Sequence, residues 1–166
     1  MKIVRNLKMG YKVLKSIRTF NSSRNQIAQT KATGNMIEER AKISAVTNKW
    51  ALQIVDLFNI NLNVIGEENL PIQGPVVFIS NHEGYADIVA FLAAIKNIQV
   101  SFVAKDTLRK APYFGKWLIA TRGIFIKRGD VRSSLISINQ GADLVKQGFS
   151  LIIFPEGTRS QGKEMQ

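Results

Sequence analysis

The spacing of apolar residues divides the chain into a helical first part and a mixed second part. Apolar positions recur at helical spacing over Ile37–Phe58 and predict a long helix. Beyond it, short apolar runs predict strands at Ile60–Ile65, Val76–Ser80, Val100–Ala104, Ile124–Lys127 and Leu151–Phe154. Helical patterns between these runs cover Asp87–Ile95, Ala111–Ala120 and Val131–Gln147. This alternation predicts an α/β fold with a mostly parallel sheet flanked by helices.

Residues 1–20 have a basic amphipathic pattern, with apolar and lysine-rich positions on opposite sides of a helical wheel. Such a helix can lie in an anionic membrane interface, or it can pack on its own domain with a solvated basic face. Residues 21–35 are rich in polar side chains and predict a connection without regular structure. We therefore divide the chain into an N-terminal helical, membrane-associating segment (1–59) and an α/β domain (60–166).

The charge balance predicts an acidic partner. The 166 residues include 23 Lys and Arg against 12 Asp and Glu, which gives a formal net charge of +11. An anionic membrane surface, a phosphorylated substrate and nucleic acid are the candidates. No RRM, KH or helix-turn-helix signature is present, which disfavours nucleic acid. No stretch approaches the roughly 18 apolar residues of a spanning helix, so we expect a peripheral protein.

His82 is the only histidine of the chain, and there is no cysteine. Imidazole is the side chain whose ordinary pKa suits proton transfer near neutrality. Asp87 follows five residues later, and the two side chains can meet only if the chain turns between them, which Gly84 permits. The pair would then lie at the carboxyl edge of the sheet, where α/β folds place their sites. Taken alone, the same residues also fit an ordinary loop histidine and a helix N-cap.

Two other chemistries are disfavoured by the residues present. A serine hydrolase would need a nucleophile elbow, and no Gly-x-Ser-x-Gly sequence occurs. A metal site would have to be built from carboxylates, because one histidine and no cysteine are available. We therefore predict no metal and no cofactor.

Three segments, in order along the chain, resemble the signature blocks of the glycerolipid acyltransferases. They are Asn81-His82-x4-Asp87, the pair Lys105–Leu108 and Gly123–Arg128, and Phe154-Pro-Glu-Gly-Thr-Arg-Ser160. The best-known branch of this family acylates 1-acyl-glycerol-3-phosphate, or lysophosphatidate. The resemblance extends from about residue 60 to residue 160 and is most specific in the third segment.

The resemblance implies an enzyme that moves a fatty acyl group from acyl-CoA or acyl-carrier-protein to the free hydroxyl of lysophosphatidate, making phosphatidate. His82 would act as the general base without a covalent acyl-enzyme, and Asp87 would orient its ring. The implied substrate-binding residues are Lys105, Arg128, Glu156, Gly157, Thr158 and Arg159, with the two arginines on the phosphate. Glycerol-3-phosphate or another lysophospholipid is an alternative acceptor, and a basic nucleic-acid-binding protein is the alternative of another class. The expected location is the cytoplasmic face of a membrane.

The sequence departs from the family pattern at two places. The family commonly has serine two residues after the motif histidine, where this chain has Gly84. A fourth family block, a short apolar strand ending in proline, does not occur before the chain ends at Gln166. We therefore expect a C-terminally truncated member.

Overall fold

A computed structural model of the protein describes residues 11, 16, 19 and 21–160. The helices of this part are α1 (21–32), α2 (Met36–Leu57), α3 (Ala86–Ala94), α4 (Phe114–Ala120) and α5 (Val131–Lys146). The strands are β1 (Val77–Ile79), β2 (Val100–Lys105), β3 (Ile124–Ile126) and β4 (Ser150–Ile153). Short 3-10 helices cover Glu67–Asn69 and Asp106–Lys110.

The described strands form one parallel sheet in the order β1-β4-β2-β3. The last described strand, β4, therefore lies between the first two, with Leu151 opposite Val77 on one side and Ser101 on the other. Because all strands run the same way, their carboxyl ends meet at one edge of the sheet. The α/β fold with a parallel sheet flanked by helices, predicted from the sequence, is confirmed.

The main core lies between the sheet and helices α2, α3 and α4. Buried side chains of β2 and β4, Phe102 and Ile152, pack in one cluster with Trp117 of α4 and Leu92 of α3. Asn48 of α2 donates side-chain hydrogen bonds to the carbonyls at the end of α3. These contacts fix α2 against the helix that follows β1 and hold that helix at the sheet.

A second tie joins α2 to the connection between α4 and β3. Glu39 is 2% exposed, and both of its oxygens accept hydrogen bonds from the Arg122 guanidinium, at 2.7 and 2.8 Å. The guanidinium also lies over the ring of Phe149, 5.2 Å from its centre. The buried carboxylate is thus fully paired, which is the condition under which burial of a charge is tolerated.

The prediction of a polar connection at residues 21–35 is wrong for most of its length, because residues 21–32 are helical. Ile27 is 1% exposed and packs with Ile43 and Phe149 in a second cluster. Thr30 is also buried, and its hydroxyl donates to the carbonyl of Gln26 within the helix. Packing of one face therefore overrides the polar composition of the segment.

The predicted strand Ile60–Ile65 is also wrong, because these residues form no strand. The alternation of apolar residues suggested one buried face, yet only Leu62 packs on the main core and Ile65 is 89% exposed. No described strand pairs with this segment, and an unpaired run cannot satisfy a strand's backbone groups. The alternation was therefore accidental.

The remaining predicted elements differ from the structure mainly at their ends. Helix α4 begins at Phe114 rather than Ala111, after the unpredicted 3-10 helix. The amphipathic pattern of residues 1–20 lies almost entirely outside the described residues, and the domain division after residue 59 stays a prediction. None of the helices in the described part is long and apolar enough to cross a bilayer.

Candidate active site

The ends of all strands in the described sheet contribute side chains to one site. His82 follows β1, Lys105 ends β2, Arg128 follows β3 and Glu156 follows β4. All four residues line a single cavity of about 460 Å³. The parallel arrangement explains this convergence, because residues far apart in the sequence reach the same edge.

The His82 and Asp87 side chains are in direct contact. Nδ1 of His82 lies 2.7 Å from Oδ2 of Asp87, and each side chain is 20% exposed. An ionised carboxylate can only accept, so Nδ1 carries the proton and donates. In a neutral imidazole this leaves Nε2 with a free lone pair, and no described residue bonds to it.

Asp87 is held in its charged form by the loop that precedes it. Its Oδ2 atom accepts hydrogen bonds from the backbone N–H groups of Glu83, at 2.8 Å, and Gly84, at 3.0 Å. Burial by itself raises the pKa of this carboxyl, but the bonds from Gly84, His82 and Glu83 outweigh it. The pKa of Asp87 is therefore below its ordinary value, and the carboxylate is ionised at neutral pH.

The predicted turn between His82 and Asp87 is present, but it does not depend on glycine. Gly84 is not among the residues with positive φ, and a Cβ atom built on it would meet only a backbone nitrogen, at 4.0 Å. The Asp87 carboxylate holds the turn by accepting hydrogen bonds from two successive N–H groups that precede it in the chain. A serine would fit at position 84, so the departure from the family pattern leaves this geometry unchanged.

Residues 154–160 contact His82 through three separate groups. Phe154 stacks on the imidazole, with ring centres 4.4 Å apart and planes inclined by 23°. The His82 N–H donates to Oε1 of Glu156 at 3.2 Å, and its carbonyl accepts from the Ser160 N–H at 2.6 Å. The third sequence segment thus contacts the ring and both backbone groups of the histidine.

The cavity beside His82 is apolar on one side and basic at its mouth. Its apolar wall includes Ile88, Phe102, Leu108, Phe114 and Leu118. Lys105 and Arg128 supply the positive charge, and both side chains are exposed. Such a cavity can accommodate a molecule that has a hydrocarbon part and an anionic group.

Gly157 allows the Arg128 side chain to lie against residues 154–160, the third of the quoted segments. Its φ is +64°, a conformation that favours glycine, and a Cβ atom there would lie 3.2 Å from an Arg128 guanidinium nitrogen. The absence of a side chain therefore lets the guanidinium approach the backbone beside Glu156. The space beside the Gly157 backbone is therefore occupied by a protein side chain.

Two predicted ligands are not brought into the cavity. Among the described residues, Thr158 and Arg159 are not part of its lining. The Arg159 guanidinium lies instead over the exposed ring of Tyr85, 4.8 Å from its centre. Arg159 thus lies against the surface of the His82 loop.

Sequence reasoning missed the roles of Phe154 and Tyr85. Both lie inside the quoted segments, but neither was assigned a contact. Phe154 directly follows β4, and β4 pairs with β1, the strand that leads to His82. An aromatic residue at the end of this neighbouring parallel strand was the available signal for the stacking on His82. The contact of Tyr85 with Arg159 depends on loop geometry and gave no signal in the sequence.

Comparison with known proteins identifies acyltransferases as similar proteins in more than one way. The family model described as Acyltransferase matches residues 61–166. A chloroplastic 1-acyl-sn-glycerol-3-phosphate acyltransferase of Arabidopsis thaliana is 34% identical over 119 residues, which cover 70% of this chain and 32% of the relative. A lyso-ornithine lipid O-acyltransferase of Brucella abortus is 30% identical over 113 residues, covering 68% of this chain and 40% of the relative.

The fold is also that of a solved structure. The 1-acyl-sn-glycerophosphate acyltransferase PlsC of Thermotoga maritima matches with a TM-score of 0.71 at 22% identity, over 96% of this chain and 64% of that one. This likeness concerns the fold. The chain spans well under half the length of the two curated relatives named above.

Proposed function

We propose that this chain, which belongs to the acyltransferase family, transfers a fatty acyl group from a thioester donor to the free hydroxyl of lysophosphatidate. The observation that carries the proposal is the His82–Asp87 pair at 2.7 Å, with Nε2 unoccupied by described residues at a partly apolar cavity. The names of relatives that act on 1-acyl-sn-glycerol-3-phosphate support this acceptor.

In the proposed reaction, Nε2 of His82 takes the proton of the acceptor hydroxyl as its oxygen attacks the thioester carbonyl. The tetrahedral intermediate collapses, the carbon–sulfur bond breaks, and the leaving thiolate takes the proton from the imidazolium. The products are phosphatidate and the free thiol of the carrier, with no acyl group on the protein. General base catalysis of this kind contributes roughly 10²- to 10⁴-fold, so positioning of both substrates supplies much of the remaining rate.

The donor in this proposal is acyl-CoA or acyl-carrier-protein, and no cofactor takes part. The hydrocarbon part of a substrate would lie on the apolar wall that includes Phe102 and Phe114. Arg128 and Lys105 would hold the acceptor phosphate, because they are the cations that line the cavity near His82. Arg159 is proposed as a more peripheral phosphate ligand, since it lies over Tyr85.

The acceptor and the product are lipids, so we further propose that the protein works at the cytoplasmic surface of an anionic membrane. The net charge of +11 favours such a surface. Deleting residues 1–20 should release the protein from anionic vesicles in a sedimentation assay. Undiminished sedimentation would contradict a membrane role for this segment.

The activity is tested by supplying lysophosphatidate in vesicles with each carrier and measuring phosphatidate formation by the unmodified chain and by His82→Ala. We expect activity that disappears in the variant. A folded protein that leaves lysophosphatidate unacylated would contradict the proposed acceptor.

A second acceptor deserves its own arm of this assay, because one relative is named for lyso-ornithine lipid. Glycerol-3-phosphate and another lysophospholipid complete the set. If one of these is acylated while lysophosphatidate is left unchanged, the proposed acceptor is wrong and the proposed acyl-transfer chemistry is retained. Nucleic-acid binding that survives His82→Ala, with no acyl transfer to any acceptor, would instead support the alternative of another class.

A further inference from the structure

We propose that Glu156 is a positioning residue that fixes the backbone of His82, rather than a ligand of the substrate. The inference rests on the proposed function in one respect, that His82 is the base. It changes the role of Glu156 from the substrate contact that the family resemblance implies.

The first support is the pattern of backbone hydrogen bonds in the His82 loop. Three successive N–H groups each donate to a carboxylate: that of His82 to Glu156, and those of Glu83 and Gly84 to Asp87. The loop has no strand or helix partner for these groups, so two side chains take the place of regular structure. Without Glu156, the N–H of the base itself would lose its partner.

The second support is that Glu156 acts together with its neighbours. Phe154 stacks on the ring and the Ser160 N–H donates to the His82 carbonyl, so the histidine is contacted from the segment on both sides of Glu156. Asp87 fixes Nδ1 of the ring. Ring, N–H and carbonyl of the base are thus each held by a separate group, which leaves the direction of Nε2 well defined.

The third support is the charge and burial of the carboxylate. Oε2 of Glu156 is buried and has no hydrogen-bond partner, and no described Lys or Arg forms an ion pair with the residue. A buried carboxylate oxygen without a partner is destabilising, so stability of the fold does not explain the residue. A carboxylate would also repel an acceptor phosphate. The bond from Oε1 to the His82 N–H is the function that remains.

The proposal is tested on the resonances of His82, which are unambiguous because the chain has one histidine. The 13Cε1–1Hε1 signal of the imidazole is recorded without substrate for the unmodified protein, Glu156→Ala and Glu156→Gln. Glutamine keeps an oxygen that can accept the N–H bond and removes the charge. Glu83→Gln is the matched control, since it removes a neighbouring charge and leaves the contacts of His82 in place.

We expect Glu156→Ala to shift or broaden the His82 signal and Glu156→Gln to leave it near its original position. In the acyl-transfer assay, Glu156→Ala should lower kcat by roughly 10²-fold with little change in KM for the acceptor, because a displaced base slows the chemical step. Glu156→Gln should lower kcat much less. If Glu156→Ala does not fold, Glu156→Asp, whose shorter side chain cannot reach, is expected to move the same signal.

Two results would overturn the proposal. One is an unchanged His82 signal in Glu156→Ala with a raised KM, which would make the residue a substrate ligand. The other is equal loss of activity in the alanine and glutamine variants with unchanged signals, which would assign the effect to the charge. A moved His82 signal in a protein that acylates no acceptor would support the positioning role and contradict the proposed function, so the two failures are distinguishable.

Discussion

Two regions of the molecule each contain a charged contact of 2.7 Å, and they use it differently. At the junction of α2 with the α4–β3 connection, both oxygens of Glu39 bind the Arg122 guanidinium. At the carboxyl edge of the sheet, Asp87 binds Nδ1 of His82 and leaves Nε2 without a described partner. A pair in which both carboxylate oxygens are bound to the partner can only stabilise the fold. A pair that leaves one nitrogen without a hydrogen-bond partner can take part in chemistry.

In both regions hydrogen bonds hold a charged side chain in its ionised form. The hydrogen bonds to Glu39 outweigh burial and raise the pKa of Arg122 above a value that is already far above neutral. The hydrogen bonds to Asp87 outweigh burial and hold the pKa of that carboxyl below its ordinary value. The comparison predicts that substitutions in the two regions affect different measurements.

The largest expected effect is on catalysis, from Asp87→Asn. Oδ2 of Asp87 accepts from His82 and from both loop N–H groups, so an asparagine oxygen in its place keeps the bonds but carries no charge to stabilise the imidazolium that forms in the reaction. We expect acyl transfer to fall by roughly 10²- to 10⁴-fold, with a small change in the thermal midpoint. Steady-state rates and thermal unfolding check this. A variant with wild-type kcat would contradict the role of the pair.

The next effect is on stability, from Arg122→Ala. Removing one partner leaves Glu39 buried and unpaired, which costs about 3–5 kcal/mol of unfolding free energy. The rate per folded molecule should stay unchanged, because the residue is not part of the cavity lining. Denaturant unfolding measures the first quantity and rates corrected for folded fraction measure the second.

The matched control for this prediction is Lys146→Ala. Its partner Asp143 lies at 3.7 Å, and the two side chains are 78% and 66% exposed. Exposed pairs contribute about 0–1 kcal/mol, so little change is expected. Equal losses in the two variants would contradict the stability cost assigned to leaving Glu39 buried and unpaired.

A smaller effect is expected from Arg128→Ala, on binding. A charge-assisted hydrogen bond contributes about 1.5–3 kcal/mol, so KM for a phosphate-bearing acceptor should rise roughly 10- to 100-fold. The neighbouring Lys127→Ala is the control, because that side chain is exposed and paired with Asp130. Similar KM values for both variants would show that Arg128 does not contact the phosphate.

The smallest effect is the acid dependence of stability. The pKa of Asp87 is lower in the folded protein than its ordinary value, so its contribution is present above that value and lost as pH falls through the folded-state pKa. Asp87→Asn should therefore lose less unfolding free energy than the unmodified protein between about pH 5 and pH 2. Parallel curves for the two proteins would contradict the assigned shift.

Local pattern located the four described strands, and the family resemblance supported the pairing of His82 with Asp87 that a turn between them allows. β1, β2, β3 and β4 each coincide with an apolar run, and the strand–loop–helix order placed both residues at the carboxyl edge. Two predictions were wrong, a connection where residues 21–32 form a helix and a strand at residues 60–65, and both errors have one cause. The helix forms because Ile27 finds a buried partner, and the strand fails because Ile65 finds none. Tertiary contacts of this kind cannot be deduced from periodicity.

The contacts around His82 were predictable only in part. Residue type and order gave the members of the site, but not the bond from the His82 N–H to Glu156 or the stacking of Phe154. The placement of Arg159 on Tyr85 likewise depends on the path of two loops. Which of several arginines reaches a cavity is decided by backbone geometry, such as the positive φ of Gly157 beside Arg128.

The insertion of β4 between β1 and β2 has a consequence for the order of assembly during folding. The bond from His82 to Glu156 joins residues 74 positions apart, and β4 carries the segment that makes it. Closing so long a loop is entropically costly and slow compared with forming the local His82–Asp87 turn. The turn can therefore form early in a growing chain, but the base acquires its fixed orientation only when the last described strand has joined the sheet.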